Sequence, residues 1–291
     1  MACCERIRAR VISPTDNVQR MKKTVKQDRN FDDLAHKFAA SIYGTAKGEI
    51  RQTVVWHDIE QILFRLAADA DLRGKQEDQP FSVLDAGGGL AQLSQKIAAL
   101  GHNVSLCDLS SEMLSLAEQD ISANQLLDKY RFIHSPVQNI AEHLNEPVDL
   151  VLFHAVMEWL AEPISALTSL CEQVKPGGII SVMFYNYNGL LFKNLICGNL
   201  KHIEQGMPHR KRFKLQPQQG IEPDLVYRCL EQAGFEILGK TGVRTFHDYM
   251  QNHDMGDFSF EQILAMEQKL CRQEPFLSLG RYIHVYAQKK A

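Results

Sequence analysis

Long apolar runs are missing from this 291-residue sequence. None approaches the ~20 residues that cross a bilayer as a helix, and the N-terminus has no apolar core of a secretory signal. A membrane protein is therefore not expected, and the cytoplasm is the expected location. Patterned cysteine is missing too. The seven cysteines at positions 3, 4, 107, 171, 197, 229 and 271 form no CxxC pair and have no nearby HxxxH partner, which argues against zinc and against a disulfide framework. Several sit in apolar runs, where free cysteine behaves as a small core side chain. Neither a serine-hydrolase elbow nor an HExxH motif occurs, so no metal is expected. Net basicity is absent as well: the formal charge is -3, and any polyanion must meet a local patch. Internal repeats and low-complexity segments are likewise absent.

What remains is the composition of a protein with a substantial core, 45% hydrophobic and 23% charged. Residues 1–26 mix Arg6, Arg8, Arg10, Arg20, Lys22 and Lys23 with little apolar periodicity and read as a disordered basic tail. Residues 27–291 read as a single catalytic domain. Within 27–70, apolar residues recur at helical spacing from Phe31 to Leu66, broken at Gly44 and Gly48, which predicts two helices. From 81 to 184, short β-type runs alternate with helical segments: 82–84, 104–107, 130–133, 149–153 and 179–184. That order predicts a doubly wound α/β fold with a mostly parallel sheet. An irregular basic insertion is expected over 185–223. Residues 224–291 then supply a helix at 224–232, a strand at 235–238, a helix at 258–271 and a strand at 282–287.

The most informative segment is Val83-Leu84-Asp85-Ala86-Gly87-Gly88-Gly89-Leu90-Ala91, with three glycines where the first strand should turn into a helix. A dinucleotide fingerprint fails, because counting from Gly87 and Gly89 the third glycine position falls on Gln92. The pattern is similar instead to the D-x-G-x-G-x-G loop that holds S-adenosylmethionine, met by Asp85, Gly87 and Gly89, with Ala91 in the last position. Asp108 ends the second strand about 20 residues later, where a carboxylate can accept from both ribose hydroxyls of an adenosine; its competing reading is the cap of the next helix. Val137 and Gln138 follow the third strand and His154 the fourth, at the edge where open α/β sheets bind ligands. A histidine packed near a helix start is the alternative for His154. Lys175-Pro176-Gly177-Gly178 reads as a structural turn before the fifth strand.

Two further segments call for a decision. Residues 234–241 satisfy the P-loop expression G-x-x-x-x-G-K-[ST], yet a helix precedes Gly234 and the intervening residues read as strand, so the match is rejected. His209-Arg210-Lys211-Arg212-Phe213-Lys214 stands out against an acidic chain and includes an aromatic able to stack on a base. Arg210, Lys211, Arg212 and Lys214 are candidate RNA contacts, weighed against a solvated loop.

With these residues in view, the chain from about Gln27 resembles the bacterial tRNA 5-carboxymethoxyuridine methyltransferase family. The resemblance rests on dispersed blocks, among them residues 27–33, 42–45, 85–89, 153–156, 183–186, 240–244, 246–249, 271–275 and 279–285. Only blocks outside the glycine loop give it specificity. It implies S-adenosylmethionine as methyl donor and tRNA as partner, with transfer to the carboxylate of a wobble uridine modification. It implies cofactor contacts from Arg51, Gly87, Gly88, Asp108, Val137, Gln138 and His154, with Arg51 aimed at the methionine carboxylate, beside the Asp85 and Gly89 of the loop match. A carboxylate with pKa near ~4 is already ionised at neutral pH, so no general base is required. Tyr43, Tyr185, Arg244 and His247 are the candidates for orienting it. The competing functions are methylation of a small or carrier-bound carboxylic acid, and a noncatalytic RNA-binding module with a vestigial pocket.

Overall fold

Short β-rich runs separated by helical segments can pair in parallel only if each connection crosses a face of the sheet, which buries both faces. The computed structural model describes residues 27–37, 45–72, 79–208, 217–251 and 258–290 and has this arrangement. The strands are β1 (Ser82–Ala86), β2 (Asn103–Asp108), β3 (Tyr130–His134), β4 (Val148–His154), β5 (Val174–Tyr185), β6 (Phe235–Val243) and β7 (Tyr282–Lys289), in the spatial order β3-β2-β1-β4-β5-β7-β6. The first five run parallel, and β7 lies antiparallel between β5 and β6. The expected doubly wound, mostly parallel, seven-stranded sheet is thus observed.

Alternation along each strand divides the core. On β4, Val151 and Phe153 join a cluster covered by helices at Pro163–Glu172 and Pro223–Gln232, whereas Leu150 and Leu152 face the other side. That second side is covered by α1 (Ala46–Leu72), whose Ile50, Val54, Val55, Ile59, Ile62, Leu63 and Leu66 are buried. The crossover helices α2 (Gln92–Ala99) and α3 (Ser111–Ala123) follow β1 and β2. Ser110, and not Asp108, caps α3 by accepting the Met113 N–H at 3.1 Å. No helix among the described residues is long and apolar enough to cross a membrane.

Several elements differ from expectation. The second of the two expected helices passes through Gly48 and starts between the two glycines; Gly48 N–H donates to Thr45 Oγ1 at 3.1 Å, so this glycine belongs to the first turn. Only a helical turn at residues 35–37 represents the first helix, and 38–44 lie outside the described residues. The segment 175–178 is not a turn before β5 but an irregular stretch within it, marked by a register shift against β4 and by Gly177 at φ 76°. The helix before β5 is α4 (Pro163–Glu172); after β5 the described residues of the insertion are more regular than expected, with α5 (Tyr187–Ile196) and α6 (Leu200–Glu204). β6 extends to Val243, so Gly239, Lys240 and Thr241 of the P-loop expression lie on a strand, in agreement with its rejection. Residues 1–26, and the basic run 209–214, lie outside the described residues.

Past α7 (Pro223–Gln232) and β6, the chain is held by α8 (Phe260–Leu270). From that helix the buried Glu267 carboxylate accepts from the Thr245 N–H (2.7 Å), the Thr245 hydroxyl (2.9 Å), the Phe246 N–H (3.2 Å) and the His247 N–H (2.9 Å). Removing that acceptor strands several buried donors at once. Glu267→Ala is expected to lower the unfolding free energy by roughly 3 kcal/mol or more in urea titration, with loss of less than about 1 kcal/mol refuting this account of the 244–247 segment.

Candidate functional site

Parallel pairing of β1 with β2 sets Asp85 beside Leu106 and brings the glycine loop against the end of β2. Gly87 and Gly88 N–H groups both donate to the Cys107 carbonyl, at 2.7 and 3.2 Å. The Gly89 N–H donates to Asp108 Oδ2 at 2.9 Å, and the Ser110 N–H to Oδ1 at 2.8 Å. Glycine is needed for packing as much as for ligand approach. A Cβ at Gly87, where φ is 68°, would lie 2.6 Å from a Val156 methyl, and one at Gly88 would lie 2.4 Å from the Asp85 carboxylate. Ala91 adopts the left-handed region that the missing last glycine would have taken, at φ 57°.

Asp85 itself turns inward: its carboxylate accepts from the Ser94 hydroxyl at 2.5 Å, and burial, then the neighbouring charge of Asp108, pushes it up to about 6. Asp108 is raised by burial and partly restored by its backbone donors. A carboxylate has about four lone-pair positions, so two backbone donors leave room for two hydroxyls.

One cleft joins these groups. Its lining includes all nine residues expected at the cofactor: Arg51, Asp85, Gly87, Gly88, Gly89, Asp108, Val137, Gln138 and His154. Val137 is buried, as a packing contact should be. His154 sends Nε2 to the Ser181 hydroxyl at 2.8 Å, and burial above all keeps its ring neutral. Two buried amide atoms on the wall, Gln138 Oε1 and Gln92 Nε2, have no hydrogen-bond partner among the described residues. The set suits S-adenosylmethionine: a guanidinium for its carboxylate, a carboxylate for its ribose, and unsatisfied amide groups for polar atoms of the ligand.

Sequence reasoning missed the cover of this cleft. Residues 28–33 cross its mouth: Asp28 accepts from Gln138 Nε2 (2.8 Å) and Ala161 N–H (2.7 Å), and Asp32 accepts from the Ser110 hydroxyl (2.6 Å). Phe31 packs edge-on against Trp159, with centroids 4.9 Å apart. The signal was the acidic block 27–33, which fits no helix pattern.

Of the orienting candidates, Tyr43 lies outside the described residues. Tyr185, Arg244 and His247 do not line the cleft; they gather around the buried Asp248. Arg244 Nη2 lies 2.9 Å from its Oδ2, Arg281 Nε 3.5 Å from the same oxygen, and Lys47 Nζ 3.5 Å from Oδ1. Burial would raise Asp248, but His247, whose Nδ1 lies 3.7 Å from Oδ1, and the charges of Arg244, Arg281 and Lys47 drive it far below the carboxylate range. Arg281 also donates to the Tyr185 hydroxyl and lies over its ring at 4.9 Å, while Arg244 lies over Tyr282 at 5.3 Å. The Nε of each arginine is buried without a hydrogen-bond acceptor among the described residues. Arg281, Lys47 and Asp248 were not singled out. The register that sets Tyr185 opposite Tyr282 would have placed Arg281 beside it.

Between cleft and cluster lies Glu158, fully buried, with Oε1 unpartnered among the described residues and Oε2 3.4 Å from the Tyr185 N–H. The charge of Arg51 reaches both Glu158 and Tyr282, and that of Arg244 also reaches Tyr282, so the two groups adjoin.

A glycine loop, an acidic residue ending β2 and this strand order define a class I S-adenosylmethionine-dependent methyltransferase. Residues 84–182 match the family model described as "Methyltransferase domain". The fold is that of a magnesium protoporphyrin IX methyltransferase from Synechocystis, solved with bound S-adenosylhomocysteine (16% identity, TM-score 0.55, 89% of this chain and 96% of that one). A ubiquinone biosynthesis O-methyltransferase of Dinoroseobacter shibae is 28% identical over 68% of this chain and 78% of its own length. The tRNA 5-carboxymethoxyuridine methyltransferase of Escherichia coli K12 is 47% identical over 263 residues, 90% of this chain and 97% of that protein. The chain belongs to the tRNA 5-carboxymethoxyuridine methyltransferase family, and it is an enzyme that uses S-adenosylmethionine.

Two outcomes are expected. Asp108→Ala removes two charge-assisted hydrogen bonds at roughly 1.5–3 kcal/mol each and should weaken S-adenosylmethionine binding at least about tenfold by calorimetry. Unchanged affinity in a folded variant would refute the ribose assignment. Burial pushes Glu158 up to about 7, so the folded state binds its proton more tightly than the unfolded chain. Wild-type stability should therefore fall as pH rises from about 5 to 7 and then level, whereas Glu158→Gln removes this term. The variant's advantage should grow across that window, by up to roughly 3 kcal/mol, in melts at each pH. A gap independent of pH would contradict the raised pKa.

Proposed function

We propose that this enzyme methylates the carboxylate of 5-carboxymethoxyuridine at the tRNA wobble position, giving the methyl ester. The observation that carries the chemical class is the cation excess beside the cofactor cleft. Two largely buried guanidinium groups, Arg244 and Arg281, face the single carboxylate of Asp248, with Lys47 at the exposed edge. A buried excess of positive charge is costly unless an anion completes it. The near full-length similarity to the E. coli enzymes supports 5-carboxymethoxyuridine as that anion.

Bound S-adenosylmethionine supplies a methyl group on a positively charged sulfur, which a carboxylate can attack in line. The protein has only to hold and align the nucleophile, because a carboxylic acid with pKa near ~4 needs no base at neutral pH. Arg244 and Arg281 are proposed to orient it, with the Tyr185 hydroxyl beside them. Their charges are already shared with Asp248 and with the rings of Tyr282 and Tyr185, so they can position a carboxylate without fully quenching it. His247 is proposed to hold Asp248 in place, and Tyr43 remains a further candidate. Arg51, Asp108, Gln138 and His154 are proposed to hold the cofactor. Arg210, Lys211, Arg212 and Lys214, in the insertion between β5 and β6, are proposed phosphate contacts, which would give tRNA binding a salt dependence that weakens when they are neutralised.

The test is single-turnover methylation of tRNA bearing 5-carboxymethoxyuridine, followed by mass spectrometry of its nucleosides. The rate should stay nearly flat from about pH 6 to 8.5, since the substrate acid is ionised throughout. Arg281→Ala should raise the KM for this tRNA at least about tenfold while changing cofactor affinity less than about twofold. A tenfold rise per pH unit would mean that a proton must leave before attack, which refutes a carboxylate nucleophile. Equal turnover of small free carboxylic acids, unaffected by RNA, would replace tRNA with a small substrate.

A further inference from the structure

We propose that Asp58, Ser181 and His284 form a buried positioning relay that fixes the ring tautomer of His154 and so presents its Nδ1 to the cleft as a hydrogen-bond acceptor. This rests on the reading of the cleft as the cofactor site.

The relay crosses three adjacent strands on the α1 face of the sheet. That face is otherwise apolar, with Leu150, Leu152, Ile179 and Met183 on it. Register sets Met183 opposite both His154 on β4 and His284 on β7, and Ser181 lies two residues away on β5, on the same face. Asp58 descends from α1, seven residues and nearly two turns beyond Arg51, which places both on one side of the helix. The chain of contacts is continuous: Asp58 Oδ2 to His284 Nδ1, 2.8 Å; His284 Nε2 to Ser181 Oγ, 2.7 Å; Ser181 Oγ to His154 Nε2, 2.8 Å. Asp58, Ser181 and His284 are all at most 1% exposed.

Donor and acceptor roles follow from the Asp58 end. Burial would raise this carboxyl, but the hydrogen bonds from His284 and Arg272, with the charge of Arg272, outweigh it and keep it ionised. An ionised carboxylate only accepts, so His284 Nδ1 carries a proton. Arg272 already balances the charge with two donors to Oδ1, at 2.5 and 3.2 Å, so a cation on the fully buried His284 would lack a counter-ion of its own. The proposed order takes the neutral form of this ring, in which Nδ1–H donates to Asp58 and Nε2 accepts the Ser181 proton. The Ser181 oxygen in turn accepts from His154 Nε2–H. In the neutral His154 ring, Nδ1 is left with a lone pair. It suits a ligand ammonium or hydroxyl and disfavours a carboxylate, which falls to Arg51.

The test reads the tautomer directly, by long-range proton–nitrogen spectra of protein labelled with ¹⁵N-histidine, without ligand, His154 being assigned by its loss in His154→Gln. Wild type and Ser181→Thr, which keeps the hydroxyl, should show the Nε2–H form; Ser181→Ala and Asp58→Asn should show a mixture. By calorimetry, Ser181→Ala should weaken S-adenosylmethionine about three- to tenfold, but less than about twofold in a His154→Ala background. An Nδ1–H form in the wild type, or an equal Ser181→Ala effect with and without His154, would overturn the relay. The expected tautomer in a protein that binds no S-adenosylmethionine would support the hydrogen-bond order and overturn the cofactor reading beneath it.

Discussion

The hydrogen bond from the Gly89 N–H to the Asp108 carboxylate is the contact on which the site depends. It joins the turn after β1 to the end of β2, and it can form only because the two strands run parallel with Ala86 beside Cys107. Around it the remaining parts find their places: the Cys107 carbonyl takes two N–H groups of the loop, Asp85 turns in to Ser94, and residues 28–33 close over the top through Asp28 and Asp32. The cleft is thus built by backbone register, and its side chains are placed as a consequence.

The sheet and the cofactor wall were legible in sequence because each rests on local, periodic or short-range signals. Asp85, the glycines and Asp108 come from one strand-turn-helix-strand unit, and all of them meet in the cleft. Helix boundaries read from glycine were less faithful, since Gly48 is tolerated in a first turn whose N–H can reach Thr45. β6 was set too short because pairing with β7 carries it on to Val243, and β5 starts earlier than its apolar run because Val174 pairs with Val148 of β4. Arg281 and Asp248 were out of reach for another reason. Their partnership depends on a loop at 244–248 held by Glu267 from a helix some 20 residues away, which no local pattern announces.

The chemistry divides along the same line. Groups proposed for the cofactor sit at the carboxyl ends of β1 to β4, where the fold places ligands generally. Groups proposed for the substrate come from β5, the 244–248 loop and Arg281, just before β7. Glu158 stands at the seam, close enough to Arg51 and to the Tyr185 backbone for both halves to act on its proton.

α1 reaches every part of this arrangement. Lys47 meets Asp248, Arg51 lines the cleft, Asp58 anchors the buried polar chain, and Arg65 reaches Gln288 at the far end of β7 (3.1 Å). Along an α-helix four residues advance the axis by about 6 Å, so the spacing between the Lys47 and Arg51 positions is a property of helix pitch and not of side-chain choice. The helix therefore serves as a ruler laid from the cleft to the Asp248 cluster: Arg51 and Lys47 are gauged against one rod, and neither can shift without carrying the other.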